Sequence, residues 1–287
     1  MTHPRFNQHA IALLLASALA FSLVGCAASQ GDACTNQVCD EPSFLDPVPP
    51  SASTFIPDKI VDTYWHGQYV RVNKEVASAK DVQVVFFGDS ITKGWSMLQA
   101  KGKPVWDKQF AKYNPINMGN SGGITPTMLY RATQGNLDFP KGQAPDVAVL
   151  LCGTNNYGVS QSAGGKVQWD LGMKTDPREV ADGVRAIAQT FRSKLPGTRV
   201  IVLAILPVKQ DAKWIKVQET NRILAEYNYP KDEVVYLDLK NQFTDAEGKL
   251  KPNLFTDGTH LTTEGYQVMA DAIQPEIDRL IKLGPVK

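Results

Sequence analysis

Surplus charge of either sign is scarce in this chain: 30 Lys and Arg stand against 29 Asp and Glu, a formal net charge of +1. That balance supplies no basic field for a phosphate backbone and no acidic tail, so nucleic acid is not expected as a partner. Histidine and cysteine are sparse too, at four each. No cluster of histidines, cysteines and carboxylates stands at ligand spacing, so neither a metal nor another cofactor is expected. Internal repeats and long low-complexity tracts are also missing, which excludes solenoids and repeat arrays.

What the chain does have is 43% apolar residues over 287 positions, enough for one sizeable core. Its first residues run from Arg5 through an apolar stretch, Ile11 to Val24, to Gly25-Cys26, the layout of a secretory signal. Leu23-Val24-Gly25-Cys26 resembles the lipobox of bacterial lipoproteins. The resemblance implies cleavage before Cys26, a lipid on Cys26, and a domain held to a membrane and facing the periplasm or the cell exterior. Ala27 resembles the outer-membrane sorting pattern. An uncleaved anchor over Ala10 to Ala28 is the alternative, at roughly 20 residues. Both place the folded part outside the cytosol. In an oxidising compartment Cys34 and Cys39 are expected to close a small disulfide loop, and a metal site there would need ligands the segment lacks. The Ser-, Pro- and Asp-rich stretch that follows, with Pro47, Pro49 and Pro50, reads as a tether. The expected division is a signal over 1–25, a disordered tether over 26–56 and a main domain over 57–287.

In the main domain, β-branched and aromatic runs at 82–87, 115–118, 146–152, 199–206 and 234–238 alternate with helical stretches. Asp176-Pro177 is a cap and first-turn proline, Pro196-Gly197 a stop, and Val180, Val184, Ile187, Phe191 and Leu195 form one stripe between them. Thr262 caps a last helix with Tyr266, Met269, Ile273, Ile277 and Leu280 along one face. Alternating βα units with continuously apolar strands predict a five-stranded parallel sheet inside a three-layer α/β/α sandwich. Ligands of such sheets sit beyond the carboxyl ends of the strands, where Ser90, Gly122 and Asn155 all fall.

Ser90 follows Val84-Val85-Phe86-Phe87 within Gly88-Asp89-Ser90, and far downstream Asp257-Gly258-Thr259-His260 offers a base with its carboxylate. A serine attacks at neutral pH only when an imidazole takes its proton and a third group holds that imidazole. Acyl transfer also needs donors aimed at a developing oxyanion, each worth about 2.7–4 kcal/mol of barrier. The backbone N–H groups of Ser90 and Gly122 and the side-chain amide of Asn155 are the candidates.

These segments resemble the blocks of SGNH (GDSL-type) hydrolases. The resemblance implies Ser90 as nucleophile, Gly122 and Asn155 as oxyanion donors, and Asp257 with His260 as acid and base, on a flavodoxin-like sheet. From about Trp65 to Leu283 the chain is further similar to the catalytic subunits of platelet-activating-factor acetylhydrolases, through Met128-Leu129-Tyr130-Arg131, Gly135-Asn136-Leu137 and Ile205-Leu206-Pro207. Those relatives carry an acidic residue where this chain has Gly123. Their substrates range over acetylated lipids and sugars, so the resemblance implies ester hydrolysis, here of a short acyl, acetyl foremost, on a carbohydrate or cell-envelope glycan. A lipase or lysophospholipase and a non-catalytic envelope-binding lipoprotein are the alternatives.

Gly119-Asn120-Ser121-Gly122-Gly123 fits the Gly-x-Ser-x-Gly elbow, which makes Ser121 the rival nucleophile. His66 is read as surface or packing, Asp89 as a loop brace and Cys152 as a buried inert thiol. Trp95, Trp106, Trp169 and Trp214 are aromatic enough for a pocket wall but carry no assignment.

Overall fold

The computed structural model describes residues 42–51, 53, 54, 63–97, 101–161, 167–170 and 172–287. The signal, Cys26 and the Cys34–Cys39 pair lie outside them.

All five apolar runs form strands. The first three are β1 (Val84–Gly88), β2 (Ile116–Gly119) and β3 (Val147–Leu151). An unanticipated antiparallel hairpin follows, β4 (Val159–Gln161) with β5 (Val167–Asp170). The chain then returns to the sheet as β6 (Arg199–Leu203) and β7 (Val234–Leu237), β6 leaving it earlier than the run to 206 suggested. The order β2-β1-β3-β6-β7, with every pair parallel, is the doubly wound arrangement.

Among the described residues eight helices connect and cover the strands: α1 (Thr63–Ala77), α2 (Ser90–Lys93), α3 (Lys103–Gln109), α4 (Thr125–Thr133), α5 (Pro177–Lys194), α6 (Asp211–Ala225), α7 (Lys240–Phe243) and α8 (Thr263–Lys282). Because side chains alternate along a strand, Val85, Phe87, Leu150 and Val202 face one layer with residues of α1, α4, α5 and α6. Val84, Phe86, Val149 and Ile201 face the other, with α3 and α8. The predicted stripes of α5 and α8 are buried throughout, each large apolar side chain contributing about 1.5–3 kcal/mol. Both caps form: Asp176 accepts from Arg178 N–H and Thr262 Oγ1 from Gly265 N–H.

The tether expectation needs correction over 42–54. Phe44 is fully buried against Tyr227 and Tyr229, and its N–H donates to the Asn228 carbonyl while Asn228 N–H donates back to Pro42. Arg185 and Gln189 of α5 donate to the carbonyls of Phe44, Asp46 and Pro47. One aromatic anchor and a set of satisfied backbone carbonyls outweigh the proline-rich composition.

Candidate active site

The register brings the loops together. Gly88 is paired with Gly119 on one side and Leu151 on the other, so β1, β2 and β3 end side by side. The loops that follow carry Ser90, Gly122 and Asn155.

Ser90 is the first residue of α2 and Asp89 its cap, accepting from Ile91 N–H at 2.9 Å. From the far end of the chain, Tyr266 of α8 donates its hydroxyl proton to the Ile91 carbonyl at 2.7 Å and packs its ring on Trp95. This clamp ties the helix that begins at Ser90 to the element that follows His260. The sequence marked Tyr266 only as part of a buried stripe.

The Asp257-Gly258-Thr259-His260 loop is closed by a bridge between Phe255 and Leu261, and Asp257 Oδ1 accepts from Thr259 N–H at 2.9 Å and His260 N–H at 2.8 Å. Such a turn is the local preference of Asp-Gly. With His260 Nδ1–H donating to Asp257 Oδ2 at 2.7 Å, Nε2 is left to accept from the Ser90 hydroxyl, 2.8 Å away. Burial alone would raise the Asp257 pKa, but the two backbone N–H groups and the imidazole bring it below the ordinary carboxylate range. The carboxylate therefore stays charged through mild acid and keeps the ring oriented.

Gly122 holds φ at +73°, and a Cβ there would meet the Trp65 ring at 3.3 Å, so both backbone and space call for glycine. Trp65 in turn donates its Nε1–H to the Ser121 carbonyl at 2.8 Å, bracing this loop. Asn155 Nδ2 donates to the Gly123 carbonyl at 3.0 Å and lies 3.5 Å from Asp89 Oδ2. At Gly123 a Cβ would stand 3.1 Å from the Asn120 carbonyl, so an acidic residue there would require the loop to shift.

Asp89 is fully buried, and desolvation pushes its pKa up to about 6 against the opposing pull of Ile91 N–H, His260 and Lys213. Lys213, on the first turn of α6, is drawn below its ordinary value by burial and partly restored by Asp89. Nothing in its sequence context distinguished Lys213. Cys152 is buried, with its thiol pushed well above the usual range by desolvation. Trp95 and Trp106 are core residues, and His66 is exposed on α1. Among the described residues no group of three metal-ligating side chains occurs, and no helix is long and apolar enough to cross a membrane.

The sheet order, with a serine after the first strand and an Asp-x-x-His loop before the last helix, defines a class: the hydrolases of the SGNH type. Residues 86–268 match the GDSL-like Lipase/Acylhydrolase family, and the chain belongs to it. Platelet-activating factor acetylhydrolase IB subunit alpha1 of Bos taurus is 27% identical over 245 residues, spanning 82% of this chain and 92% of its own. The alpha2 subunit of Rattus norvegicus is 28% identical over 229 residues, spanning 78% and 88%. Among solved structures, a GDSL-like lipase from Bacteroides thetaiotaomicron shares the fold at a TM-score of 0.57, with 23% identity over 75% of this chain and 97% of its own. The chain is an ester hydrolase, which removes the non-catalytic alternative.

Proposed function

We propose that this ester hydrolase removes short acyl groups, acetyl foremost, from carbohydrate or cell-envelope glycan through an acyl-enzyme on Ser90. The observation that carries the reading is the unbroken relay from Ser90 Oγ through the His260 imidazole to Asp257. His260 Nε2 takes the Ser90 proton as Oγ bonds to the ester carbonyl carbon, and the carbonyl π pair moves onto its oxygen. The N–H groups of Ser90 and Gly122 and the Asn155 amide hold that oxyanion. As the tetrahedral centre collapses, the bond between the acyl carbon and the alcohol oxygen breaks, and that leaving oxygen collects the proton from Nε2. Water then gives a proton to the same nitrogen as its oxygen bonds to the acyl carbon; when this second centre collapses the acyl carbon–Oγ bond breaks, Oγ takes back the proton from Nε2, and the carboxylic acid leaves.

Acetyl is favoured because relatives similar to this chain over about four-fifths of its length are named acetylhydrolases. The lipobox resemblance supports the glycan, since a lipid on Cys26 and a Cys34–Cys39 disulfide would set the domain among envelope polymers, with the outer membrane's periplasmic side as the location. A fluorophosphonate probe is expected to label the wild type and S121A but not S90A. Rates on a chain-length series of esters are expected to fall beyond the shortest acyl groups. Labelling that survives S90A and is lost in S121A would move the nucleophile, and a preference for long chains would make the enzyme a lipase or lysophospholipase.

A further inference from the structure

A cleft of about 740 Å³ opens beside the relay, bounded on one side by Thr256, Asp257 and Gly258, and neither Ser90 nor His260 lines it. Its place follows from the fold. The loop after β6 and the first turn of α6 form its other side, and Lys209 N–H donates to the Gly258 carbonyl at 2.8 Å, joining the two walls. A Cβ on Gly258 would lie 2.5 Å from Lys209 Cβ, so the close approach of these walls depends on glycine.

Trp214 is the cleft's largest side chain. It is half-buried, packed against the cluster of Tyr157, Val180, Ile205 and Val217, with Lys240 Nζ 6.0 Å from its ring centroid, and it lines the cleft. Leu250 and Phe255 add apolar wall, whereas Lys209, Asp211 and Lys249 put donors and an acceptor around the same space. The volume falls in the range of small-ligand sites. An alkyl chain would cover the charged groups without answering them, at a desolvation cost. A sugar ring meets both demands: its C–H face lies on the indole, and its hydroxyls accept from the ammonium groups and donate to the carboxylate.

The chemistry of the relay says which half of the ester belongs there. Nε2 has to hand its proton to the leaving oxygen, so the alcohol half stands against the His260 loop, while the acyl half lies toward the oxyanion donors. The cleft begins at that same loop. We propose that it is the subsite for the acylated sugar, with Trp214 as the stacking platform and Lys209, Asp211 and Lys249 as hydroxyl contacts. The proposal rests on the ester-hydrolase reading of Ser90 and names where its alcohol is held.

The test compares wild type, W214A, W214F and K249A on an acetylated xylo-oligosaccharide and on ethyl acetate, which has no ring to stack. W214A is expected to raise KM for the sugar ester at least tenfold with kcat largely kept, and to lower the sugar-to-ethyl-acetate ratio of kcat/KM by a similar factor. W214F should recover most of the ratio, and K249A should lower it several-fold. Independently, the deacetylated oligosaccharide is expected to quench indole fluorescence in S90A and not in the S90A/W214A double variant. An unchanged substrate ratio in W214A together with unaltered quenching in the double variant would overturn the subsite. So would a W214A defect confined to long-chain esters, because the cleft would then hold acyl chain. Failure of wild type to cleave ethyl acetate would instead count against Ser90 chemistry, and the fluorescence titration would still decide the cleft.

Discussion

Asn155 carries two amide hydrogens, and only one is well used in the resting site: the bond to the Gly123 carbonyl is 3.0 Å, while the approach to Asp89 is 3.5 Å. A contact that long is weak, so the second hydrogen can turn to a developing oxyanion without loss of a strong bond. N155A is therefore expected to lower kcat by about 10²–10³-fold while KM and the circular dichroism spectrum change little. A kcat within a few-fold of wild type would remove Asn155 from the oxyanion site. Asp89 supports a prediction about stability instead. Its folded pKa of about 6 lies above the unfolded value of 3.8, so the native state binds the proton more tightly between those values. This contribution is fully present below the unfolded pKa and lost as pH rises through about 6. The loss is on the order of 3 kcal/mol. Asn can cap α2 as Asp does, so D89N should keep the fold and escape this loss. Urea midpoints of D89N minus wild type are expected to grow from pH 4 to pH 7, and a constant difference would show that Asp89 titrates normally. That Ser90, His260 and Asp257 meet, with Asn155 on a neighbouring loop, was legible in the sequence because chemistry restricts which residue types can serve. The shift at Asp89 was not, because it depends on burial that only the assembled layers create.

Among the elements, the five strands and the long helices α5 and α8 were readable because a single periodicity runs through each, reinforced by a cap or a proline. The β4–β5 hairpin has only three and four residues per strand and no alternating pattern long enough to register. Segment 42–54 escaped for a different reason. Its composition is that of a linker, and the information lies in one residue, Phe44, whose ring fills a place beside Tyr227 and Tyr229. Removing such a ring costs about 3–5 kcal/mol. F44A, or a chain beginning at residue 55, is expected to melt several degrees below a chain beginning at residue 42, using roughly 2–4 °C per kcal/mol for a domain of this size. Equal melting temperatures in differential scanning calorimetry would mean that the segment rests on the domain without stabilising it.

At the scale of the whole molecule, the packing of 42–54 shortens the proposed tether. Cys26 stands 16 positions before Pro42, the first described residue, and at no more than about 3.6 Å per position that stretch spans at most roughly 60 Å. A lipid on Cys26 would thus keep Pro42 within that distance of the membrane. One acyl chain gives only reversible binding, whereas two or more give stable anchoring, so the attachment should be decided at that single cysteine. C26S is expected to abolish incorporation of labelled palmitate, while its rate on ethyl acetate matches that of wild type. Wild-type protein that stays with the membrane without incorporating labelled palmitate would favour the uncleaved apolar anchor over Ala10 to Ala28, since that span would hold the chain without any lipid.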